Sequence, residues 1–295
     1  MAHFSKIIID KILGSDYKMK LAFKIILITF IFSLTTSMTT YSQSDLTPKY
    51  LSIVIDDFGN NMIGTKEMME LDLPITVAVM PFLPSSKQDA ISAHKKGYEV
   101  LLHLPMEPNH GKASWLGPNP IITSLSSKEI RSRVLRALDE VPYAIGINNH
   151  MGSKATADKR VMEIIMRVCK ERGLVFLNSR TNSSNVSELL AKKYNVPYLE
   201  NDYFFDDVYE AAHINHQASK LISLFDKQNN VVAIGHVGIP GKMTSKALRT
   251  YSPVWRKRVL IVPISKQFYI KSNKYKGIIP FTALNDRNKA AIFTK

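Results

Sequence analysis

Two aspartates stand side by side in "IVIDDFG", Asp56 and Asp57, where an apolar run ends. Adjacent carboxylates cannot both be buried and ionised without compensation, because each loses hydration and repels the other. A divalent cation resolves the conflict: one carboxylate ligates it and the other stays nearby as a base. Two imidazoles with one carboxylate form a zinc-type donor set that leaves positions open for water and substrate. Asp57, His103 and His150 supply that set. Taken singly, an Asp-Asp pair after a strand more often caps the next helix, and a lone strand-end histidine is more often structural. The argument for chemistry is convergence. Polar residues follow several apolar runs: Asp56 and Asp57 the first, His103 the third, Asn148, Asn149 and His150 the fourth, Asn178, Ser179 and Arg180 the fifth, His236 the seventh.

Convergence requires a scaffold that brings strand ends together. Short apolar runs recur at 51–55, 75–79, 100–102, 144–147, 174–177, 196–199, 231–234 and 259–262, separated mostly by segments of helical periodicity. Ser126 with Glu129 marks a capping box, and Gly173 and Gly97 close two helices; 208–226 reads as another. Strands alternating with helices imply parallel pairing, and the unbroken apolar runs suit strands covered on both faces. Seven or eight such units in this length fit a distorted parallel β/α barrel, whose strand ends all point to one face. The loop 104–124 has four prolines and no periodicity, the character of a lid or binding loop. Its Trp115 suits either stacking on a sugar ring or capping the core. His94, His110, His213 and His216 are assigned no role.

At 295 residues the chain predicts one domain with a short extension. Residues 1–43 read as a signal peptide or N-terminal anchor with an upstream extension. Lys18, Lys20 and Lys24 precede the apolar stretch 25–34, and a small-residue polar tail follows. That stretch is short for a transmembrane helix. Export to the periplasm or medium is the expectation, with an uncleaved membrane anchor as the alternative. The barrel is expected over 50–265 and a basic tail over 266–295. The single cysteine, Cys169, excludes an intrachain disulfide framework. Net charge is +14, of which residues 1–43 hold five lysines and two aspartates. The lysines are scattered without aromatic interleaving, so no nucleic-acid partner is expected.

The segments "IVIDDFG", "GYEVLLHLPMEP", "VPYAIGINNHMGS", "VFLNSRT" and "VVAIGH" resemble, in order and spacing, the divergent polysaccharide deacetylases. These are distant relatives of carbohydrate esterase family 4, and the resemblance spans roughly 50–265. It implies a β/α barrel holding a divalent metal, zinc by preference, with Asp56 as catalytic base and Asp57 as metal ligand. His103 matches the first of two metal-binding histidines, while Glu107 stands at the second. Either Glu107 ligates or His150, in "NNHMGS", replaces it; His150 is preferred. "AIGH" implies that His236 is the general acid. Asn148, Asn149, Ser153, Glu107 and Arg180 are candidates for contacts to substrate or to the ligands. Asn178 stands where an Asp is expected, so an orienting carboxylate for Arg180 is missing.

The implied reaction is hydrolysis of an acetyl group from a polysaccharide or oligosaccharide containing amino sugars. Two alternatives remain at this stage: a glycan-binding protein on the same barrel, and another metal-dependent hydrolase, since fold does not fix chemistry.

Overall fold

The computed structural model describes residues 17, 19–26 and 47–274. The chain divides into a unit over 1–47 and a unit over 48–295. In the first, residues 17 and 19–26 are helical; 1–16, 18 and 27–43, most of the expected leader, lie outside the described residues. Among the described residues no helix is long and apolar enough to cross a membrane.

Among its described residues the second unit carries nine strands: β1 (Tyr50–Phe58), β2 (Thr76–Val79), β3 (Glu99–Met106), β4 (Ala144–Met151), β5 (Val175–Asn178), β6 (Tyr198–Glu200), β7 (Tyr203–Phe204), β8 (Asn230–His236) and β9 (Leu260–Ile261). The helices are α1 (Thr65–Met69), α2 (Ser86–Lys95), α3 (Ser127–Glu140), α4 (Lys159–Arg172), α5 (Val186–Tyr194), α6 (Ala211–Lys220), α7 (Gly241–Trp255) and α8 (Ile264–Lys274). Every strand pair is parallel, in the order β6-β5-β4-β3-β2-β1-β8-β7, with β9 against the start of β1. The sheet curls into a distorted barrel whose hydrogen-bonded path begins at β6 and ends at β7.

Alternation along the strands separates two cores. Leu51, Ile53 and Ile55 of β1 join the cluster that packs beneath the helices, whereas Val54 joins a second cluster with Ala78, Leu101, Val175, Leu177, Val232 and Ile234. Period-two alternation makes this second set the barrel interior. The same inward columns run on to polar residues: Val54 to Asp56, Leu101 to His103, Ile234 to His236. Thus the barrel's own pleat, repeated on three strands, aims three chemical groups at one mouth.

Helix ends follow the expected local chemistry. Ser126 accepts the Glu129 amide at the start of α3, although the Glu129 carboxylate turns to Arg133 instead of completing the box. Asp158 caps α4, which ends at Gly173 in the left-handed conformation. Cys169 is buried in α4, and burial pushes its thiol up to about 12. The expected tail begins differently. Residues 264–274 form α8, with Ile264 and Phe268 buried in the interior cluster. The Ile264 and Ser265 amides donate to Thr76 Oγ1 and Glu99 Oε2. Two apolar residues four apart, Ile264 and Phe268, are enough to dock a helix against the barrel floor.

Candidate metal centre and active-site cavity

The mouth of the barrel encloses a cavity of about 680 Å³. Asp56, on the inward column of β1, reaches it directly. Asp57 by parity faces outward, toward the helices. Between Ile55 and Phe58 the register with β2 slips, and Asp57 takes φ +70°. This bulge turns Asp57 to the same side as its neighbour. Aspartate tolerates the left-handed region better than a branched residue does.

Asp57 Oδ1 lies 3.1 Å from His103 Nε2 and 3.0 Å from His150 Nδ1, and the two imidazole nitrogens are 3.1 Å apart. The far side of each ring fixes its tautomer. His103 Nδ1 donates to Asn148 Oδ1 at 2.8 Å, and His150 Nε2 donates to the Trp115 carbonyl at 2.9 Å. With both rings neutral, two nitrogen lone pairs and a carboxylate oxygen converge on one point. Asp57 Oδ1 is buried and makes no hydrogen bond of good geometry. Such a cluster of three acceptors needs positive charge among them, and a divalent cation on Asp57, His103 and His150 supplies it. The residues present therefore fit the implied metal. Burial opposes ionisation of Asp57, but the facing His103 and His150 side chains outweigh it and hold the carboxyl well below its usual range.

Asn148 links ligand and base. Its Oδ1 accepts from His103, and its Nδ2 donates to both oxygens of Asp56 at 3.0 and 3.2 Å. Asp56 is 1% exposed, and burial raises its carboxyl above the ordinary value despite the nearby His103 and His236. Beside it, on the neighbouring strand β8, His236 pairs in register with Asp56. Its Nδ1 donates to Asp206 Oδ1 at 2.7 Å, and its backbone amide donates to Asp206 Oδ2 at 2.8 Å. Burial disfavours the imidazolium, yet Asp206, then Asp57 and Asp56, outweigh it and push His236 to about 10. Gly235 makes room for this contact: a Cβ there would meet Thr244 Cγ2 at 2.9 Å and Asp206 Oδ2 at 3.4 Å.

Several expected residues play other parts. Glu107 is not in the donor cluster. Its Oε2 accepts from Thr123 N–H and O–H, because the loop after β3 returns to pair Met106 with Ile121, and its Oε1 accepts from Lys154 Nζ after β4, at 2.6–2.7 Å. Replacing Glu107 with Gln should leave bound metal unchanged and cost about 2 kcal/mol of stability, measured by metal analysis and denaturant unfolding. Ser153 is also off the cavity, accepting the Asn109 amide. Asn149 lines the cavity, but its side chain is spent on Met151 O and the Ser179 amide. Arg180 lies at a neighbouring cleft, with φ +56° and Nε 3.6 Å from Glu200. The carboxylate missing at Asn178 is therefore replaced for Arg180 by Glu200. Asn178 itself sits on the outward parity of β5 and bonds Tyr198. His94 stacks on Tyr143, and His213 pairs with Asp207.

Asp206, Phe204 and Tyr209 were not singled out from the sequence. Phe204 stacks on His236 with ring centroids 6.0 Å apart, and Tyr209 lines the cavity. The available signal was "FFDD" at 204–207, a second aspartate pair directly after apolar residues, which echoes "IDDF".

The sequence pattern of the divergent polysaccharide deacetylase family matches residues 53–268. The chain is 37% identical over 186 residues to the uncharacterized protein YibQ of Escherichia coli, covering 63% of this chain and 58% of that protein. The match thus spans less than two thirds of the Escherichia coli protein. It is 33% identical over 200 residues to an uncharacterized protein of Haemophilus influenzae, covering 68% and 71%. Among solved structures, the uncharacterized protein ATU2773 of Agrobacterium tumefaciens superposes with a TM-score of 0.67 at 22% identity, over 76% of this chain and 91% of that one. That likeness establishes a shared fold.

Proposed function

We propose, given that this chain belongs to the divergent polysaccharide deacetylase family, that its cavity hydrolyses the acetyl group from an amino sugar of a polysaccharide or oligosaccharide. The observation that carries this reading is the pairing of a three-donor cluster with a buried carboxylate and, beside that carboxylate on the next strand, a carboxylate-bound imidazole. Pure glycan binding needs no such set.

Asp57, His103 and His150 would hold the divalent ion, zinc by the preference of two imidazoles and one carboxylate. When bound, such an ion polarises an acyl carbonyl and lowers the pKa of water. Asp56 acts as general base, taking the proton of the attacking water. Its burial raises its proton affinity, while the two Asn148 N–H bonds orient it. His236 acts as general acid. Nδ1 is committed to Asp206, so Nε2 carries the proton that is delivered to the departing amine. Asp206 keeps that proton in place before the reaction and leaves the ring in one orientation after it. Phe204, Trp115 and Tyr209 offer ring faces to the sugar. Export through the N-terminal segment belongs to the same reading, since a polymeric glycan of this kind lies outside the cytoplasm.

Acetate release from acetylated amino-sugar oligomers, by protein stripped of metal and then reconstituted with zinc, tests this reading. Zinc-dependent acetate supports it; stoichiometric zinc binding with phosphate ester cleavage and no acetate overturns it. The pH profile gives a sharper check. Activity needs Asp56 ionised and His236 protonated, so the alkaline limb of kcat/KM follows His236, near 10. Asp206→Asn removes the carboxylate that raises that value, and the alkaline limb should move down by roughly 1–3 pH units.

A further inference from the structure

Trp115 touches the donor cluster through its main chain and the substrate cavity through its side chain. Its carbonyl accepts the His150 Nε2–H, while its indole is 59% exposed and lines the cavity. The residue ends a one-turn 3-10 segment whose amide donates to Lys112 O. The downstream part of the same loop is secured separately: Arg133 binds Pro120 O, Arg160 binds Thr123 O, and Ile121 pairs with Met106. At the boundary, Gly117 takes φ +74° beside Met80 Cε. The tip 112–116 is thus carried by a fixed base and reaches over to His150, whose outer nitrogen bonds a main-chain carbonyl and not a side chain. His103 is held from behind by Asn148, and His150 from behind by the Trp115 carbonyl of this loop.

We infer that the tip 112–116 is a positioning element of the metal centre, so that order in the tip and occupancy of the cation site are one coupled equilibrium. The Trp115 carbonyl selects the His150 tautomer that presents Nδ1 toward Asp57. A cation bound there holds the ring, and the ring holds the tip. By linkage the effect is reciprocal: whatever orders the tip tightens the cation by the same factor. A sugar stacked on the Trp115 indole would act on the metal in this way. The inference rests on the metal-dependent reading above, and outer partners of ligating histidines commonly contribute 10–100-fold to metal affinity.

The test is a zinc titration of the whole chain, read by calorimetry, by indole emission and by amide hydrogen exchange. Trp255 is fully buried, so an emission change from an exposed indole reports Trp115. Expected results are a saturable emission change, zinc-dependent protection of amides in 112–117, and a 10–100-fold loss of zinc affinity on deleting Lys112–Leu116. Trp115→Ala should abolish the emission change and retain most of the zinc affinity, because the carbonyl remains. Zinc binding without tip protection overturns the inference, and does so even if the deletion variant fails to fold. An unaltered zinc affinity in a folded deletion variant also overturns it, while leaving the proposed reaction standing if acetate is still released. A wild-type chain that binds no zinc would sink the metal reading and this inference together.

Discussion

Replacing Asp56 with Asn should lower kcat by roughly 10²–10⁴-fold, the range for loss of a positioned general base, while bound metal stays stoichiometric. The substitution preserves shape. Asn148 Nδ2 can still donate to the amide oxygen of the new side chain, and the His103 Nδ1–Asn148 bond is untouched. No donor to the cation is removed, because Asp57 Oδ1, not Asp56, completes the cluster with the two imidazoles. Metal analysis beside single-turnover acetate release reads the two effects separately. Loss of metal in this variant would show that Asp56 ligates and that the division of labour between the two aspartates is wrong.

His103→Ala is expected to do the opposite: bound zinc falls below stoichiometric detection and activity disappears with it. His103 is 2% exposed and lies 3.1 Å from Asp57 and 3.7 Å from Asp56. Its removal takes away a donor and, with the cation no longer held, the positive charge that compensates two adjacent buried carboxylates. Breaking such a pairing costs about 3–5 kcal/mol when nothing replaces the lost charge. The variant should therefore melt earlier, and the difference should shrink only once the pH falls far enough to protonate the carboxylates themselves. In the wild-type chain stripped of metal, burial opposes charge on His103, but Asp56 and Asp57 outweigh it and raise its pKa. That contribution is full below the unfolded value of an imidazole and fades as pH rises through the folded one. Full zinc occupancy in His103→Ala would remove this residue from the ligand set.

Much of this arrangement is legible in the chain because a parallel barrel converts strand order into proximity. Asp56, Asp57, His103, His150 and His236 could be grouped since each follows an apolar run, and the structure places all five around one cavity. Where the reading departed from the structure, local competition decided. Glu107 occupied a motif position, yet Thr123 and Lys154 saturate its oxygens, a contact between segments far apart in sequence. Asp206 escaped notice because β7, the strand before it, is only Tyr203–Phe204, too short to leave a periodic signature. The part of α8 from 266 onward was read as tail because its polar and basic composition hid the buried Phe268.

The inserted residue on β1 has a consequence for anyone wishing to transplant this centre. On a regular strand, neighbouring positions diverge by half a turn, so copying both acids onto an ideal barrel would send one of them under the helices. The graft must carry the irregular backbone along with the side chains. Conversely, excising a single residue between 55 and 58 here should restore an unbroken ladder with β2 and silence the protein while improving its regularity.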